Sequence, residues 1–529
     1  MRLLALAAAL ALAPAAAARA ATDCAALTAL ALPNAVVVAA DPVPAGPLAP
    51  AKGVAVSVPA FCRVTAVGTP TPDSRIGFEV WVPPAAAWNG RLLGIGHGGY
   101  SSVLDYKAMA DGLRAGYATV ATDDGHTGED LLFVVGHPGR VEDWADRAVH
   151  AMTEGAKRIV RAATGRLPDW SYFSGCSTGG FQGLAEAQRH PDDYDGIVAG
   201  APGYPRLNLS ASFMAAWAAN HDADGHEILT RAKLPALNRA AVAACDELDG
   251  IKDGIIADPR QCRLDPATLL CPDAKDGGAE DDACLTPAQV DVVRAVYRGT
   301  LNGRTGQVVF PGWDPGSEAP GGDPKLGWTA YIVGQPAPVR LELWQYWVFG
   351  DPAFDFRTFD YDRDLRYANR TVPSMNAVSA DLSRFRAHDG KLLMYFGWAD
   401  NVSSARTGID YYESLRAAPH GETTPDFARL FLLPGVGHCG GGPGPDTFDA
   451  LGALSRWVER GEAPDRIVAS HSTAGTVDRT RPLCPYPSAA RWTGQGSTNE
   501  AANFTCAPPD TPAATDKAGW LKDLQAAGP

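Results

Sequence analysis

The 529-residue sequence has no run of basic residues and no internal repeat. Nucleic-acid binding depends on clustered Lys and Arg, so the absence of such a cluster, with a formal net charge of −14, argues against a nucleic-acid partner. Glycine and proline, with 56 and 42 residues, stay below the proportion typical of low-complexity chains. The 46% hydrophobic content instead indicates a globular protein of one large or two smaller domains.

After the N-terminus, no segment approaches the roughly 20 consecutive apolar residues that a membrane-spanning helix needs. Residues 1–20 contain Arg2, an apolar run and the small-residue pattern Ala18-Arg19-Ala20, which is typical of a signal peptide and its cleavage site. We therefore expect residues 1–20 to be removed and the mature protein to be secreted or periplasmic, without membrane association.

The 10 cysteines are even in number, which predicts a disulfide framework in an oxidising compartment, with scattered buried thiols as the alternative. Most of them lie close together in pairs along the chain. This spacing predicts four local bridges, Cys24–Cys62, Cys245–Cys262, Cys271–Cys284 and Cys484–Cys506. Cys176 and Cys439 are left over.

Short apolar strands alternate with amphipathic helices from about residue 90, which predicts a mostly parallel sheet covered by helices on both faces. The alternation stops after Pro205 and resumes at Lys391. The sequence therefore predicts an α/β fold in which residues 21–205 and 390–529 form the sheet domain. Residues 206–389, rich in Asp, Gly, Pro and Trp, are expected to form an inserted lid domain.

The segment Gly-Cys-Ser-Thr-Gly at residues 175–179 lies between a predicted strand and a predicted helix, the context of a nucleophile elbow. Its glycines permit a turn too tight for a Cβ on either side, which would expose the Ser177 hydroxyl. An ordinary small-residue turn is the alternative interpretation.

A serine nucleophile needs a base within hydrogen-bond reach and a carboxylate that orients the base. His438 follows the last strong predicted strand and has glycines on both sides, and Asp400 follows the strand before it. We predict that Ser177, His438 and Asp400 are nucleophile, base and acid. For Asp400, a loop carboxylate that only caps a helix is the alternative.

The two remaining cysteines adjoin these candidates, since Cys176 directly precedes Ser177 and Cys439 directly follows His438. A disulfide holds its two Cα atoms roughly 5.5–6 Å apart. A Cys176–Cys439 bridge would therefore bring the nucleophile and the base together and restrain a glycine-rich loop.

Cys-Ser, a later Asp and His-Cys together resemble the tannase and feruloyl esterase family of secreted serine esterases. The resemblance extends over nearly the whole mature chain and includes Gly96-His97-Gly98-Gly99 and residues 123–126, 175–180, 190–196, 397–400 and 437–442. It implies an α/β-hydrolase core, with a lid inserted between the nucleophile and the acid. The five cysteine pairs also match the bridges usual in that family.

An oxyanion hole needs two backbone donors where negative charge develops on the substrate carbonyl oxygen. The N–H of Thr178, directly after the nucleophile, is expected to supply one. The resemblance assigns the other to Gly98, with Gly99 as the fallback. A simple glycine-rich turn at these two positions is the alternative.

Residues 245–255 crowd carboxylates among glycines, and hard oxygen ligands at this density suit Ca²⁺. The spacing is not that of an EF-hand, and a solvated acidic turn is the alternative. The resemblance implies ligation by the side chains of Asp246, Asp249 and Asp253 and by the carbonyls of Ile251 and Ile255. Such an ion would be structural.

Together these features predict a secreted hydrolase of aromatic carboxylic esters that works through an acyl-enzyme. Feruloyl and other hydroxycinnamoyl esters are expected first, galloyl esters second and terephthalate monoesters third, because Phe396 stands where some relatives carry His four residues before the acid. Aromatic side chains from Trp313 to Phe359 would suit an aromatic acyl pocket or simply the core of the lid. A non-catalytic, calcium-dependent binding protein is the alternative from another functional class.

Overall fold

The computed structural model describes residues 23–272, 281–323, 325–419, 421–509 and 519–526. The predicted signal peptide, residues 1–20, lies outside the described residues. The strands are β1 (Ala35–Val43), β2 (Gly46–Leu48), β3 (Val56–Val58), β4 (Phe61–Gly68), β5 (Ile76–Val82), β6 (Arg91–Ile95), β7 (Ala118–Thr122), β8 (Trp170–Cys176), β9 (Gly196–Gly200), β10 (Gly299–Leu301), β11 (Val308–Pro311), β12 (Lys391–Gly397), β13 (Ala428–Leu433), β14 (Ile467–Thr473), β15 (Thr476–Leu483), β16 (Ala489–Trp492) and β17 (Phe504–Ala507). The α-helices are α1 (Tyr106–Arg114), α2 (Gly139–Glu142), α3 (Ala148–Thr164), α4 (Thr178–Arg189), α5 (Arg206–Ala219), α6 (Leu234–Cys245), α7 (Pro287–Arg298), α8 (Arg363–Thr371), α9 (Ser383–Ala387), α10 (Ala405–Ala417), α11 (Thr424–Phe427), α12 (Ala450–Arg460) and α13 (Gly519–Ala526).

Nine strands form the central sheet, in the order β1-β4-β5-β7-β6-β8-β9-β12-β13. The pairings from β7 through β6, β8, β9 and β12 to β13 are parallel, whereas β1, β4 and β5 add an antiparallel extension. Strands β7 and β9 are buried along their whole length, as parallel strands covered on both faces must be. The α/β-hydrolase fold predicted from the sequence is confirmed.

Two hydrophobic clusters cover the two faces of this sheet. Helices α3 and α4 contribute Met152, Ile159 and Leu184 to one cluster. Helices α1 and α12 contribute Met109 and Leu454 to the other. The sheet is thus held rigidly between helices, so the loops at its edge start from fixed positions.

Between β9 and β12 the described chain adds no strand to the central sheet. It forms α5 to α9 and the β10–β11 hairpin, with a hydrophobic cluster of its own around Val293, Phe310 and Trp328. Trp344 and Trp347, however, belong to the cluster of the sheet, so this segment packs closely against the core. Within the described part of the chain, no helix has the length and apolar character needed to cross a bilayer.

The structure contains all five expected disulfide bonds: Cys24–Cys62, Cys176–Cys439, Cys245–Cys262, Cys271–Cys284 and Cys484–Cys506. Their Cα–Cα distances of 4.9–5.9 Å are ordinary for disulfides. Four of these bonds close short segments, whereas Cys176–Cys439 joins residues 263 positions apart. That bond is the one that links two different parts of the sheet edge.

Candidate active site

Ser177 occupies the sharp turn between β8 and α4. Its backbone has φ 62° and ψ −114°, a strained conformation for a residue with a side chain, and its N–H donates to the Gly200 carbonyl at 2.9 Å. A Cβ at Gly175 would lie 2.6 Å from the backbone of Gly179, which explains why the turn needs glycine there. The strand-turn-helix geometry is that of a nucleophile elbow.

The three predicted side chains form one hydrogen-bonded chain. His438 Nε2 lies 2.8 Å from Ser177 Oγ, and His438 Nδ1 lies 2.9 Å from Asp400 Oδ2. Because a carboxylate can only accept, Nδ1 carries the proton and Nε2 is free to accept from the serine hydroxyl. Asp400 is 2% exposed, whereas the site remains open at His438, whose side chain is 18% exposed.

Asp400 and His438 are brought together by the order of the strands. β8, β12 and β13 run parallel, so the residues that follow their carboxyl ends meet at one edge of the sheet. The N–H groups of Val402 and Ser403 donate to Asp400 Oδ1 at 2.7 and 2.8 Å, which fixes the carboxylate in the orientation that His438 needs.

The Cys176–Cys439 bond fastens the His438 loop to the nucleophile turn, with a Cα–Cα distance of 5.9 Å. The loop needs this restraint because Cys439 has φ 64° and Gly440 to Gly442 also have positive φ values. The bond therefore acts on the distance between Ser177 and His438.

We expect simultaneous replacement of Cys176 and Cys439 by Ala to lower kcat/KM about 10²-fold, because a displacement of 1 Å in a reacting group costs roughly that much. Removal of the Cys484–Cys506 bond is the control and should affect thermal stability more than turnover. Equal losses of activity in both variants, or a mass-spectrometric map with Cys176 or Cys439 bonded elsewhere, would contradict this role.

The loop after β6 lies beside the nucleophile turn. The Gly179 N–H donates to the His97 carbonyl at 2.7 Å, and Thr178 Oγ1 donates to the Gly99 carbonyl at 2.7 Å. These bonds fasten the loop to the nucleophile turn. Gly99, with φ 61°, lines the cavity at Ser177 together with Thr178, whereas Gly98 is not among the cavity's lining residues.

A buried polar network that the sequence analysis did not assign supports this loop. His97 Nε2 contacts Asp124 Oδ2, which also accepts from Gln182 Nε2 at 2.9 Å. His126 Nε2 donates to the Tyr100 carbonyl at 2.8 Å. Burial lowers the pKa of His97 to about 4 and raises the pKa of Asp124 well above its usual value. His97, Asp124 and His126 lie in segments that carry the family resemblance. The contact between His97 and Asp124, however, depends on the tertiary structure and could not be predicted from those segments.

Two arginines that the sequence analysis did not identify as site residues line the cavity at Ser177. Arg206 is 6% exposed, and Arg340 is half-buried with φ 65°. The Arg340 guanidinium lies 4.4 Å from the Tyr100 ring centroid, and its Nη2 is 3.4 Å from the Tyr331 hydroxyl. Neither arginine forms an ion pair with a described residue, so the cavity carries positive charge that the protein does not compensate.

The acidic loop follows α6 and the Cys245–Cys262 bond. Asp246 Oδ1 accepts from the N–H groups of Gly254 and Ile255 at 3.1 and 3.2 Å, and Asp249 Oδ1 accepts from Ile251 at 3.0 Å. Burial, together with the charges of Asp253 and Asp246, raises the pKa of Asp249. The carboxylates thus lie close enough to repel one another.

Asp246, Asp249 and Asp253 supply the carboxylate oxygens that a hard divalent cation prefers, but Asp253 is paired with the Arg481 guanidinium at 2.6 Å. The three carboxylates are not gathered around one point. Among the described residues, the tightest triads of potential ligands lie elsewhere, at His150, His190 and Asp193 and at Asp222, Asp224 and His226.

Comparison with known proteins agrees with this geometry. The family model described as "Tannase and feruloyl esterase" matches residues 62–507. An uncharacterized esterase of Xanthomonas campestris pv. campestris is 39% identical over 92% of this chain and 91% of its own length. A mono(2-hydroxyethyl) terephthalate hydrolase of Piscinibacter sakaiensis is 35% identical over 87% of each chain. The crystal structure of feruloyl esterase B from Aspergillus oryzae superposes with a TM-score of 0.83 and 31% identity, covering 90% of this chain and 98% of that one. The chain therefore belongs to the tannase and feruloyl esterase family of carboxylic ester hydrolases.

Proposed function

We propose that the protein hydrolyses esters of aromatic carboxylic acids by an acyl-enzyme mechanism. The hydrogen-bonded chain from Ser177 Oγ through His438 to Asp400 carries this proposal. Ser177 attacks the ester carbonyl while His438 Nε2 takes the hydroxyl proton, and Asp400 stabilises the imidazolium that forms. His438 then protonates the leaving alcohol, and water activated by the same histidine releases the acid.

The N–H of Thr178 and a second N–H from the loop after β6 would stabilise the tetrahedral intermediate. Gly98 remains the proposed second donor and Gly99 the alternative, which its place in the cavity wall supports. The segment at residues 206–389 would act as a lid domain, because it contributes α5, Tyr331 and Arg340 to the cavity. The five disulfides support an oxidising compartment, secreted or periplasmic.

For the substrate, we propose a feruloyl or related hydroxycinnamoyl ester first and a galloyl ester second. The uncompensated guanidinium of Arg340 favours a further candidate, an aromatic monoester with a free carboxylate, such as a terephthalate monoester. The cavity at Ser177 measures about 20 Å³, little more than one water molecule needs. An aromatic acyl group would therefore enter only when side chains of the proposed lid, which line this cavity, move.

The substrate classes can be separated by measuring kcat/KM for methyl ferulate, methyl gallate and a terephthalate monoester with the wild type and with Arg340→Gln. If Arg340 binds a substrate carboxylate, we expect the variant to lose about 10-fold or more on the monoester, mainly through KM, because a charge-assisted hydrogen bond is lost. The two neutral esters should change much less. Arg357→Gln, at an exposed arginine of the same segment, is the matched control. Equal changes on all three esters would remove the argument for an anionic substrate and leave the feruloyl proposal in place.

We also propose Ca²⁺ as a structural ion held by Asp246, Asp249 and Asp253 with the carbonyls of Ile251 and Ile255. A Cβ at Gly435 would lie 3.1 Å from Ile255 Cγ2, so the acidic loop packs against the segment that leads to His438. The ion would neutralise carboxylates that otherwise repel one another, and it would take no part in the chemistry.

Removal of Ca²⁺ with EGTA should therefore lower the melting temperature and cause a slower loss of activity, and added Ca²⁺ should restore both. Asp249→Asn should reduce the protection that Ca²⁺ gives, whereas Asp291→Asn, at an exposed carboxylate of α7, should not. If metal analysis confirms complete removal and neither stability nor turnover changes, the calcium proposal is wrong.

A further inference from the structure

Arg206 is a buried cation without a counter-ion. The residue is 6% exposed and makes no ion pair with any described residue. Its Nη2 donates to Thr178 Oγ1 at 3.0 Å, while its Nε is buried without a hydrogen-bond partner. Burial lowers the pKa of the guanidinium, yet arginine remains charged in proteins at neutral pH. A buried charge of this kind is expensive unless something compensates it.

Aromatic rings provide part of the compensation. The Arg206 Cζ lies 5.5, 5.0 and 5.1 Å from the ring centroids of Tyr100, Trp144 and Phe181. The negative faces of such rings attract a cation, but each contact contributes only about 0.5–2 kcal/mol. The rings hold the guanidinium in place without neutralising it, so an anionic partner is still missing.

The reaction itself supplies that partner. Arg206 lines the same cavity as Ser177 and Thr178, and through Thr178 Oγ1 it is linked to the Gly99 carbonyl. The guanidinium is therefore tied to Thr178 and, through its hydroxyl, to the loop that carries the proposed second donor. A substrate carbonyl oxygen is neutral before Ser177 attacks and anionic afterwards.

We infer that Arg206 is the positioning residue and fixed counter-charge of the oxyanion hole: it holds Thr178 against Gly99 and stabilises the negative charge that forms on the carbonyl oxygen. This inference rests on the proposed function. A preorganised charge of this kind favours the transition state over the bound ester, because it does not need to reorient when the oxygen becomes charged. Arg206 differs in this from Arg340, which is half-buried and free to meet a charge on the substrate.

The test uses Arg206→Gln and Arg206→Lys with methyl ferulate, which carries no carboxylate. Loss of one oxyanion-hole donor typically lowers kcat about 10²–10³-fold, and we expect a loss of that order in Arg206→Gln, with little change in KM. Arg206→Lys keeps the charge and should retain more activity. Phenylboronic acid forms an anionic tetrahedral adduct with the serine, so its inhibition constant should rise in Arg206→Gln in parallel with the loss of kcat/KM.

Arg189→Gln is the matched control, because Arg189 donates to the carbonyls of Ser374 and Asn376 and lines no part of the cavity. It should lower the melting temperature without lowering kcat. Thr178→Val removes the hydroxyl that joins Arg206 to the Gly99 carbonyl, but it keeps the Thr178 N–H and the guanidinium. We expect it to lower kcat by about 10-fold. If Arg206→Gln does not fold, this variant is the test of the inference.

A folded Arg206→Gln enzyme with kcat within about threefold of wild type would overturn the inference. So would a loss restricted to a terephthalate monoester and expressed in KM, since Arg206 would then bind substrate. A wild-type protein that hydrolyses no ester would instead overturn the proposed function.

Discussion

Replacement of Ser177 by Ala should lower kcat/KM for an aromatic ester by at least about 10⁴-fold, because it removes the hydroxyl that His438 Nε2 contacts and the acyl-enzyme cannot form. The melting temperature should change little, because the substitution removes one partly exposed hydroxyl whose partner, His438 Nε2, is itself partly exposed and can bond to water instead. Steady-state hydrolysis and a thermal melt of the same preparation measure both effects. Ser171→Ala, buried at the start of β8 and thus at the far end of that strand from Ser177, is the control and should keep its activity.

The double variant Ser177→Ala, His438→Ala extends this test. A nucleophile and its base act as one unit, so the second substitution should add little to the first. Additive losses would mean that His438 works on something other than the Ser177 hydroxyl. If the Ser177→Ala protein kept more than a hundredth of the wild-type rate, the measured activity would come from a contaminant. The protein itself would then be better explained as a non-catalytic binding protein.

The sequence predicted the centre of the site because the chemistry and the topology are both local to strand ends. Ser177, Asp400 and His438 each lie within a few residues of the carboxyl end of a parallel strand, so the order of strands brings them to one edge. Cys176 and Cys439 could be paired because the other cysteines had nearer neighbours. The structure confirms that bond and the α/β-hydrolase fold.

The antiparallel extension of the sheet was not predicted. In β1 the burial alternates weakly, with Val36 and Val38 exposed, and a proline interrupts the pattern at position 42. Such an edge strand lacks the continuous apolar run by which the buried parallel strands are recognised. The amphipathic helical segment between β7 and β8 is also not one regular helix, since α2 and α3 are separated by a wider helical turn at Asp143–Arg147. There the buried Asp143 binds Ser74 and Arg147, contacts that hydrophobic periodicity does not reveal.

The supporting residues of the site could not be predicted for the same reason. Arg206 and Arg340 lie more than 100 positions apart, and nothing in their local sequence shows that both line one cavity without a carboxylate. His97 and Asp124 likewise meet only because β6 and β7 are neighbours in the sheet. Sequence patterns thus predicted that Ser177, Asp400 and His438 meet at one edge of the sheet, whereas the groups that orient and charge the cavity depend on tertiary packing.

Replacement of Asp400 by Asn should lower kcat by about 10⁴-fold, the size of loss known when a triad carboxylate becomes an amide. Asp400 Oδ1 accepts from the N–H groups of Val402 and Ser403, so the amide oxygen of the variant should take that place. Its NH₂ group would then face His438 Nδ1, where Oδ2 lies at 2.9 Å in the wild type. Because that NH₂ can only donate, the imidazole would adopt the tautomer with the proton on Nε2, which cannot accept from Ser177.

This argument predicts a folded variant with a wild-type melting temperature and an almost unchanged KM, which steady-state kinetics and a thermal melt can establish together. Asp446→Asn is the matched control, because Asp446 Oδ2 accepts the Gly441 N–H in the same loop without touching His438. That control should keep most of its kcat. If Asp400→Asn retained more than a tenth of the wild-type kcat while folded, Asp400 would not be the residue that sets the tautomer of His438.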